Sequence, residues 1–251
     1  MHNCIILGSG RSGTSMVAGT LANTNYFMGK DLLPARDANP KGFFEDQEVN
    51  DINETILDGC VSQRVKIMGI EFFCYRPLYG HRWLARIPVR KMISVPSSSI
   101  RTRIMSLVRN EPYCFKDPRF SYTLPVWRPF LRNTVFICVF RNPATTANSI
   151  VHECHSNDYN LRINFRQAME IWTLMYQHII ETHRHYGEWL FLHYDQLLTR
   201  SGLDKLESFT GASINRSFPD PSLDRSPTSD SISHVASSVY RELCRLADYS
   251  E

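Results

Sequence analysis

The 251-residue chain is long enough for one large α/β domain, and 43% hydrophobic with 21% charged residues argues against disorder. A formal net charge of +3 without any block of lysine and arginine excludes a polybasic nucleic-acid-binding surface. No apolar stretch approaches the roughly 20 residues of a membrane span, so none is expected.

In chain order, Asn3 to Leu7 is a short apolar run of the kind that makes a fully buried parallel strand. Gly8 to Gly13 reads as a tight loop, and Thr14 to Ala22 as a helix. A loop-rich stretch punctuated by Pro34, Pro40 and Gly42 follows, then a helix from about Glu45 to Leu57. Residues 61–95 carry no clear period. Pro96 and its serines are expected to open a helix bearing Met105 and Leu107. Tyr113–Lys116 and Val135–Phe140 read as strands, and Asn142-Pro143 as a helix start, Asn capping and Pro fitting the first turn. A long helix is expected over 163–185, a strand from Trp189 to His193, and a terminal amphipathic helix over 232–248. Ile232, Val235, Val239, Leu243 and Leu246 would form the apolar face of that last helix.

Strands alternating with helices predict a P-loop-like, three-layer α/β/α arrangement around a central parallel sheet. The whole of 1–251 reads as one domain, with 24–95 as an excursion on the acceptor side. Ligands in such a sheet belong at the carboxyl ends of the strands. The seven cysteines are scattered, and several lie in apolar runs, as Cys138 does, where a thiol acts as a small hydrophobe. Their spacing suggests neither disulfide framework nor zinc site. With a strand-like run starting at Asn3, no signal peptide is expected, and the expected setting is the cytoplasm.

The strongest local signal is Gly8-Ser9-Gly10-Arg11-Ser12-Gly13-Thr14-Ser15 directly after the first strand. Glycines let several backbone N–H groups turn toward one anion, and the following helix adds its positive dipole end. Arg11 adds a permanent charge, and Ser12, Thr14 and Ser15 add hydroxyls. The spacing nearly matches the nucleotide-triphosphate loop G-x-x-x-x-G-K-[ST], but Thr14 stands where its lysine would reach the β- and γ-phosphates. A small-molecule kinase is therefore disfavoured. A non-catalytic nucleotide-binding module stays open as a second alternative. The other anion-binding pattern is Arg141-Asn142-Pro143 at the end of the 135–140 strand, with Ser149 eight positions after Arg141. Arginine grips phosphate through two N–H bonds, and serine completes the shell.

Together these motifs resemble the sulfotransferases that use 3′-phosphoadenylyl sulfate, especially their bacterial and carbohydrate-type members. The basic-Ser-Gly-Thr-Ser run is similar to that family's 5′-phosphosulfate loop, which implies that Arg11, Ser12, Gly13, Thr14 and Ser15 hold the donor there. Arg141 and Ser149 resemble its 3′-phosphate site. Phe191-Leu192-His193-Tyr194-Asp195 resembles its Leu-x-Tyr-Glu/Asp segment, implying that Tyr194 lies near the adenine. Lys116-Asp117-Pro118-Arg119 resembles its Lys-Thr and Lys-Ser-Pro segments, in which the lysine faces the transferring group. Asn39-Pro40-Lys41-Gly42-Phe43-Phe44-Glu45-Asp46 resembles the run that places a glutamate base after the first helix and loop. Glu45 is thus the implied base with Asp46 in reserve, and acidic residues at a helix start serve equally as caps.

The resemblance implies sulfuryl transfer from 3′-phosphoadenylyl sulfate to a hydroxyl or amine of a small-molecule or carbohydrate acceptor. The product would be 3′,5′-adenosine bisphosphate, with no metal and no nucleic-acid partner. Two features depart from the family pattern. The middle strand lacks the Lys-Thr-x-His of animal cytosolic enzymes. No basic-glycine segment follows near the C-terminus, where Arg216 or Arg225 would have to substitute. His152 and His155 miss the H-E-x-x-H zinc spacing and read as structural or rim residues. Neither the acceptor nor the oligomeric state is legible.

Overall fold

The strands sort their side chains by parity into two separate cores. In β1 (Asn3–Leu7), Ile5 and Leu7 enter one apolar cluster while Cys4 and Ile6 enter the other. In β5 (Thr134–Phe140), Phe136, Cys138 and Phe140 follow the first pair, and Val135, Ile137 and Val139 the second. Successive side chains of a strand point to opposite faces. An unbroken apolar run therefore buries both faces of a sheet covered by helices on each side. The computed structural model describes residues 1–36, 39–61, 65–67, 70–72, 77–89, 91, 93, 97–155, 161–223 and 231–250.

The central sheet has four parallel strands in the order β4-β1-β5-β6, with β4 at Cys114–Lys116 and β6 at Glu188–His193. Ile5 lies opposite Phe115 on one side and Phe136 on the other, and Cys138 lies opposite Phe191. A small antiparallel pair, β2 (Val65–Ile67) and β3 (Ile70–Phe72), stands apart within the 24–95 excursion. On one face of the main sheet pack α1 (Thr14–Ala22) and α7 (Arg200–Thr210). The other face carries α2 (Gln47–Asp58), α3 (Ser98–Val108), α4 (Phe120–Trp127), α5 (Pro143–His155), α6 (Phe165–His178) and α8 (His234–Leu246). The expected α/β architecture with a central parallel sheet is the observed one. Among the described residues, no helix is long and apolar enough to cross a membrane.

Two local expectations need correction, the extent of the long helix and the face of α8 on which Val235 lies. The long helix does not run unbroken to 185: its α-helical part ends at His178 and a π-helical turn spans Ile179–His183, closed by Arg184 N–H donating to the Ile179 carbonyl at 2.9 Å. Helix α4 was hidden by its prolines. Pro125 has no N–H for the Ser121 carbonyl four residues back, and that carbonyl instead faces His183 Nε2 at 3.0 Å. Helix α3 is capped by Ser97, whose hydroxyl accepts from Ile100 N–H; Pro96 lies outside the described residues. Val235 is not on the buried face of α8 but 52% exposed, because the stripe runs through Ala236, Val239, Tyr240 and Leu243.

Candidate active site

The carboxyl ends of β1, β4, β5 and β6 lie along one edge of the sheet, and each is followed by one of the residues singled out above. After β1, Gly8 turns with φ 138°, and a Cβ there would stand 2.2 Å from the Val139 carbonyl oxygen of β5. No side chain larger than hydrogen fits at that point. Ser9 N–H donates to the Tyr176 hydroxyl at 3.1 Å, which donates to the Val139 carbonyl at 2.6 Å, so α6 fixes the start of the loop. Arg11 occupies the left-handed region at φ 69°, unusual for a side chain of its size. Gly13 precedes α1 with φ 95°, and no side chain caps that helix. The first-turn amides opened by Thr14 and Ser15 are thus not engaged by a capping group. Ser12 Oγ is buried and makes no hydrogen bond of ordinary geometry.

The second motif closes onto the first. Arg11 Nε donates to Ser149 Oγ at 3.1 Å, and the same guanidinium lies 3.7 Å from Glu153. Both partners sit on α5, whose start is capped by Asn142 Oδ1 accepting from the Ala144 and Thr145 amides. Arg141, at the end of β5, lays its guanidinium 4.3 Å from the centroid of the Tyr194 ring. Tyr194 follows β6, and its ring covers Gly13, where a Cβ would come within 2.7 Å of Cδ2. Arg11, Gly13, Arg141, Ser149 and Tyr194 are therefore one connected group. Glu153, buried beneath Arg11, was not singled out from sequence; its place one turn after Ser149 was the available signal.

Beside this group, at the end of β4, lies a buried set of charges. Lys116 Nζ donates to Glu45 Oε1, with Lys116 only 2% exposed. Asn50 Nδ2 donates to Glu45 Oε2 at 3.0 Å, and Arg119 approaches the same oxygen at 4.0 Å. The Arg119 fork reaches Glu54 Oε1 at 2.6 Å, Asp117 Oδ1 at 3.0 Å and the Gly80 carbonyl at 3.1 Å. Asp117 also accepts from Asn53 Nδ2 at 2.8 Å. Asn53 Oδ1 in turn accepts from Thr123 Oγ1 and Trp127 Nε1. Burial pushes the Asp117 carboxyl above the ordinary aspartate range, and Arg119 pulls against it. Burial also disfavours the Arg119 charge, but Asp117, Glu54 and Glu45 outweigh it and hold the guanidinium more firmly protonated than usual. Asn50, Asn53 and Glu54 were missed from sequence. Their spacing along α2 was the available clue, since it sets them on one helical face.

The two neighbouring acids at the start of α2 face different tasks. Asp46 caps the helix: its carboxylate accepts from the Val49 amide at 3.1 Å and from the Lys30 and Asp31 amides at 2.9 and 3.1 Å. Those bonds commit its carboxylate to backbone amides. Phe44, at φ 54°, makes the bend that lets Glu45 face β4 instead. Arg216 pairs at the surface with Asp204 and Glu207, so it is engaged away from this edge, and Arg225 lies outside the described residues. His152 and His155 are exposed on α5. No group of three or more potential metal ligands occurs among the described residues.

The fold resembles that of the sulfotransferase domain from the Synechococcus PCC 7002 olefin synthase, with a TM-score of 0.54 and 14% sequence identity over 96% of this chain and 94% of that one. No curated protein sequence matches the chain. The profile of the sulfotransferase family matches residues 4–203, which take in the first loop, the Glu45–Lys116 pair, Arg141, Ser149 and Tyr194. The chain belongs to the sulfotransferase family.

Proposed function

We propose that this sulfotransferase takes its sulfuryl group from 3′-phosphoadenylyl sulfate and delivers it to a hydroxyl or amine of a small acceptor. The observation that carries the reading is the Arg11–Ser149 hydrogen bond, which joins the two anion-binding motifs beside the buried Lys116–Glu45 pair. The residues suit the donor. Ser12 offers a buried hydroxyl without an ordinary partner, α1 offers uncapped amides, and Gly13 leaves room for the Tyr194 ring. Arg11, Ser12, Gly13, Thr14 and Ser15 would hold the phosphosulfate, and Arg141 and Ser149 the 3′-phosphate. Tyr194, already stacked with Arg141, would face the adenine.

In the transfer the acceptor oxygen or nitrogen bonds to sulfur, the bond between sulfur and the 5′-phosphate oxygen breaks, and the acceptor proton passes to Glu45. Lys116 and Arg11 would stabilise the charge gathering on the departing phosphate. Glu45 is the base in this reading and Asp46 is not, because the Asp46 carboxylate is occupied by three backbone amides. A kinase reading is disfavoured by Thr14 at the position of the nucleotide-loop lysine and by the second anion site, neither of which ATP explains.

Calorimetry tests the donor assignment. Binding of 3′,5′-adenosine bisphosphate is expected without magnesium and in preference to ATP. Tight magnesium-dependent ATP binding with none of the bisphosphate would overturn it.

A further inference from the structure

The segment from Gly80 to Ile87 contains only a single 3-10 turn at Arg82–Leu84, yet helices on the sheet's larger face hold it at close intervals. Arg119 Nη2 donates to the Gly80 carbonyl at 3.1 Å, and the Arg82 amide donates to Glu54 Oε1 at 3.0 Å. The Arg82 guanidinium donates to the Glu54 carbonyl at 2.6 Å and also pairs with Asp58. Tyr122 Oη donates to the Ala85 carbonyl at 2.8 Å, and the His178 ring meets the Ile87 carbonyl at 2.9 Å. Leu84, Ala85 and Ile87 are buried between these anchors. Irregular backbone stitched in this way is a fixed wall rather than a flexible loop.

Trp83 is the residue this wall presents. Its indole lies on Gly10 in the first loop, one residue before Arg11: a Cβ on Gly10 would come within 2.8 Å of Cε3 and 2.9 Å of Cζ3. The ring is only partly buried, and no other aromatic ring or cation stacks on it among the described residues. Arg119 and Glu54, which anchor the wall, are also the groups packed around Glu45 and Asp117. The same buried charges thus set the position of the indole and of the carboxylate.

We infer that Trp83 is a specificity residue for the acceptor, selecting molecules that present their hydroxyl on a ring. The inference rests on the sulfuryl-transfer reading. One edge of the indole is fixed to the loop that would hold the group to be transferred, another part packs against the larger core, and the part still exposed is where a second ring would lie. Ring stacking on an indole rewards planar or ring-faced partners over flexible chains of similar apolar area. Aryl and sugar rings share this chemistry, and the probes separate them.

The test is calorimetry on the full chain saturated with 3′,5′-adenosine bisphosphate. 2-Naphthol, methyl β-glucopyranoside and 1-hexanol serve as ligands for the wild type, Trp83→Phe and Trp83→Leu. Leucine keeps an apolar cover over Gly10 and removes the flat ring. At least one ring probe should bind the wild type better than 1-hexanol. Trp83→Leu should weaken that probe about tenfold, while Trp83→Phe stays within about threefold. Which ring probe responds names the acceptor as aryl or sugar. Bisphosphate affinity should be unchanged in all three proteins. No preference for either ring over 1-hexanol, or equal ring binding by Trp83→Leu and wild type, overturns the inference. Failure of the wild type to bind the bisphosphate instead sinks the donor assignment beneath it.

Discussion

Lys116 and Glu45 are paired with each other, Nζ to Oε1, in a pocket that leaves Lys116 2% and Glu45 7% exposed. The proposed base therefore already has a cation, and the proposed cation already has an anion. In the proposed mechanism a donor that engages Lys116 would loosen that pair and free Glu45 to take a proton, so the pair would act as an interlock between donor binding and base activation.

Glu45→Gln keeps the size and the Asn50 contact but cannot accept the acceptor's proton. Turnover should fall about 10²–10⁴-fold. Affinity for 3′,5′-adenosine bisphosphate should hold or rise, since Lys116 loses its competing carboxylate. Asp46→Asn is the matched control: it disturbs a cap that accepts from three amides, so it should cost about 1 kcal/mol of stability and leave turnover near wild type. Collapse of Asp46→Asn with an active Glu45→Gln would exchange the two roles. Steady-state kinetics and denaturant unfolding on both variants decide it.

Much of the scaffold was legible because both-face burial leaves a plain mark. Asn3–Leu7 and Val135–Phe140 are unbroken apolar runs, and glycine follows the first where the Val139 carbonyl leaves no room for a side chain. Asn142-Pro143 gave the start of α5 by cap chemistry alone. The candidate site was legible as separate motifs but not as a network. Glu45 and Asp46 are adjacent acids at one helix start, and only the left-handed turn at Phe44 sends them in different directions. Nothing in composition announces that turn. Glu54 reaches Arg119 across 65 residues of sequence, through packing that local pattern does not encode. Helix α4 escaped notice for a simpler reason: its Pro125 reads as a breaker, and the carbonyl it abandons is satisfied from the distant His183.

That exchange makes His183 a sensor of acid. Burial holds its imidazole down at about 3, with the Ser121 carbonyl pulling the other way. The unfolded value is near 6.5. Between those two values the unfolded chain binds one more proton than the folded chain, so the His183 contribution is whole above about pH 6.5 and is lost progressively as pH falls toward 3. From pH 6.5 to 5 the loss is about 2 kcal/mol. His183→Gln retains a donor of similar reach and does not titrate. Its unfolding free energy should therefore decline less over that interval, by about the same amount. Equal pH slopes for the two proteins in urea titrations at pH 7, 6 and 5 would rule His183 out as the group responsible.

The last prediction concerns Arg141, whose guanidinium rests on the Tyr194 ring at the end of β5. The stacking holds the cation close to the rim of the first loop, because the same ring also covers Gly13. In the proposed donor site a cation fixed there would take the second phosphate, while Arg11 takes the phosphosulfate. Arg141→Ala should weaken 3′,5′-adenosine bisphosphate about 10–100-fold, the loss of a charge-assisted contact. Adenosine 5′-phosphosulfate has no 3′-phosphate, so its affinity should fall by no more than a few-fold. Tyr194→Phe keeps the ring and should bind both ligands as the wild type does. Tyr194→Leu removes the stacking and should behave as a weaker copy of Arg141→Ala if the ring's task is to hold the guanidinium. Calorimetry with the two nucleotides on the three variants separates the outcomes. Equal losses of both ligands in Arg141→Ala would move Arg141 from the 3′-phosphate to the shared 5′ end, and no loss of either would remove it from the donor site.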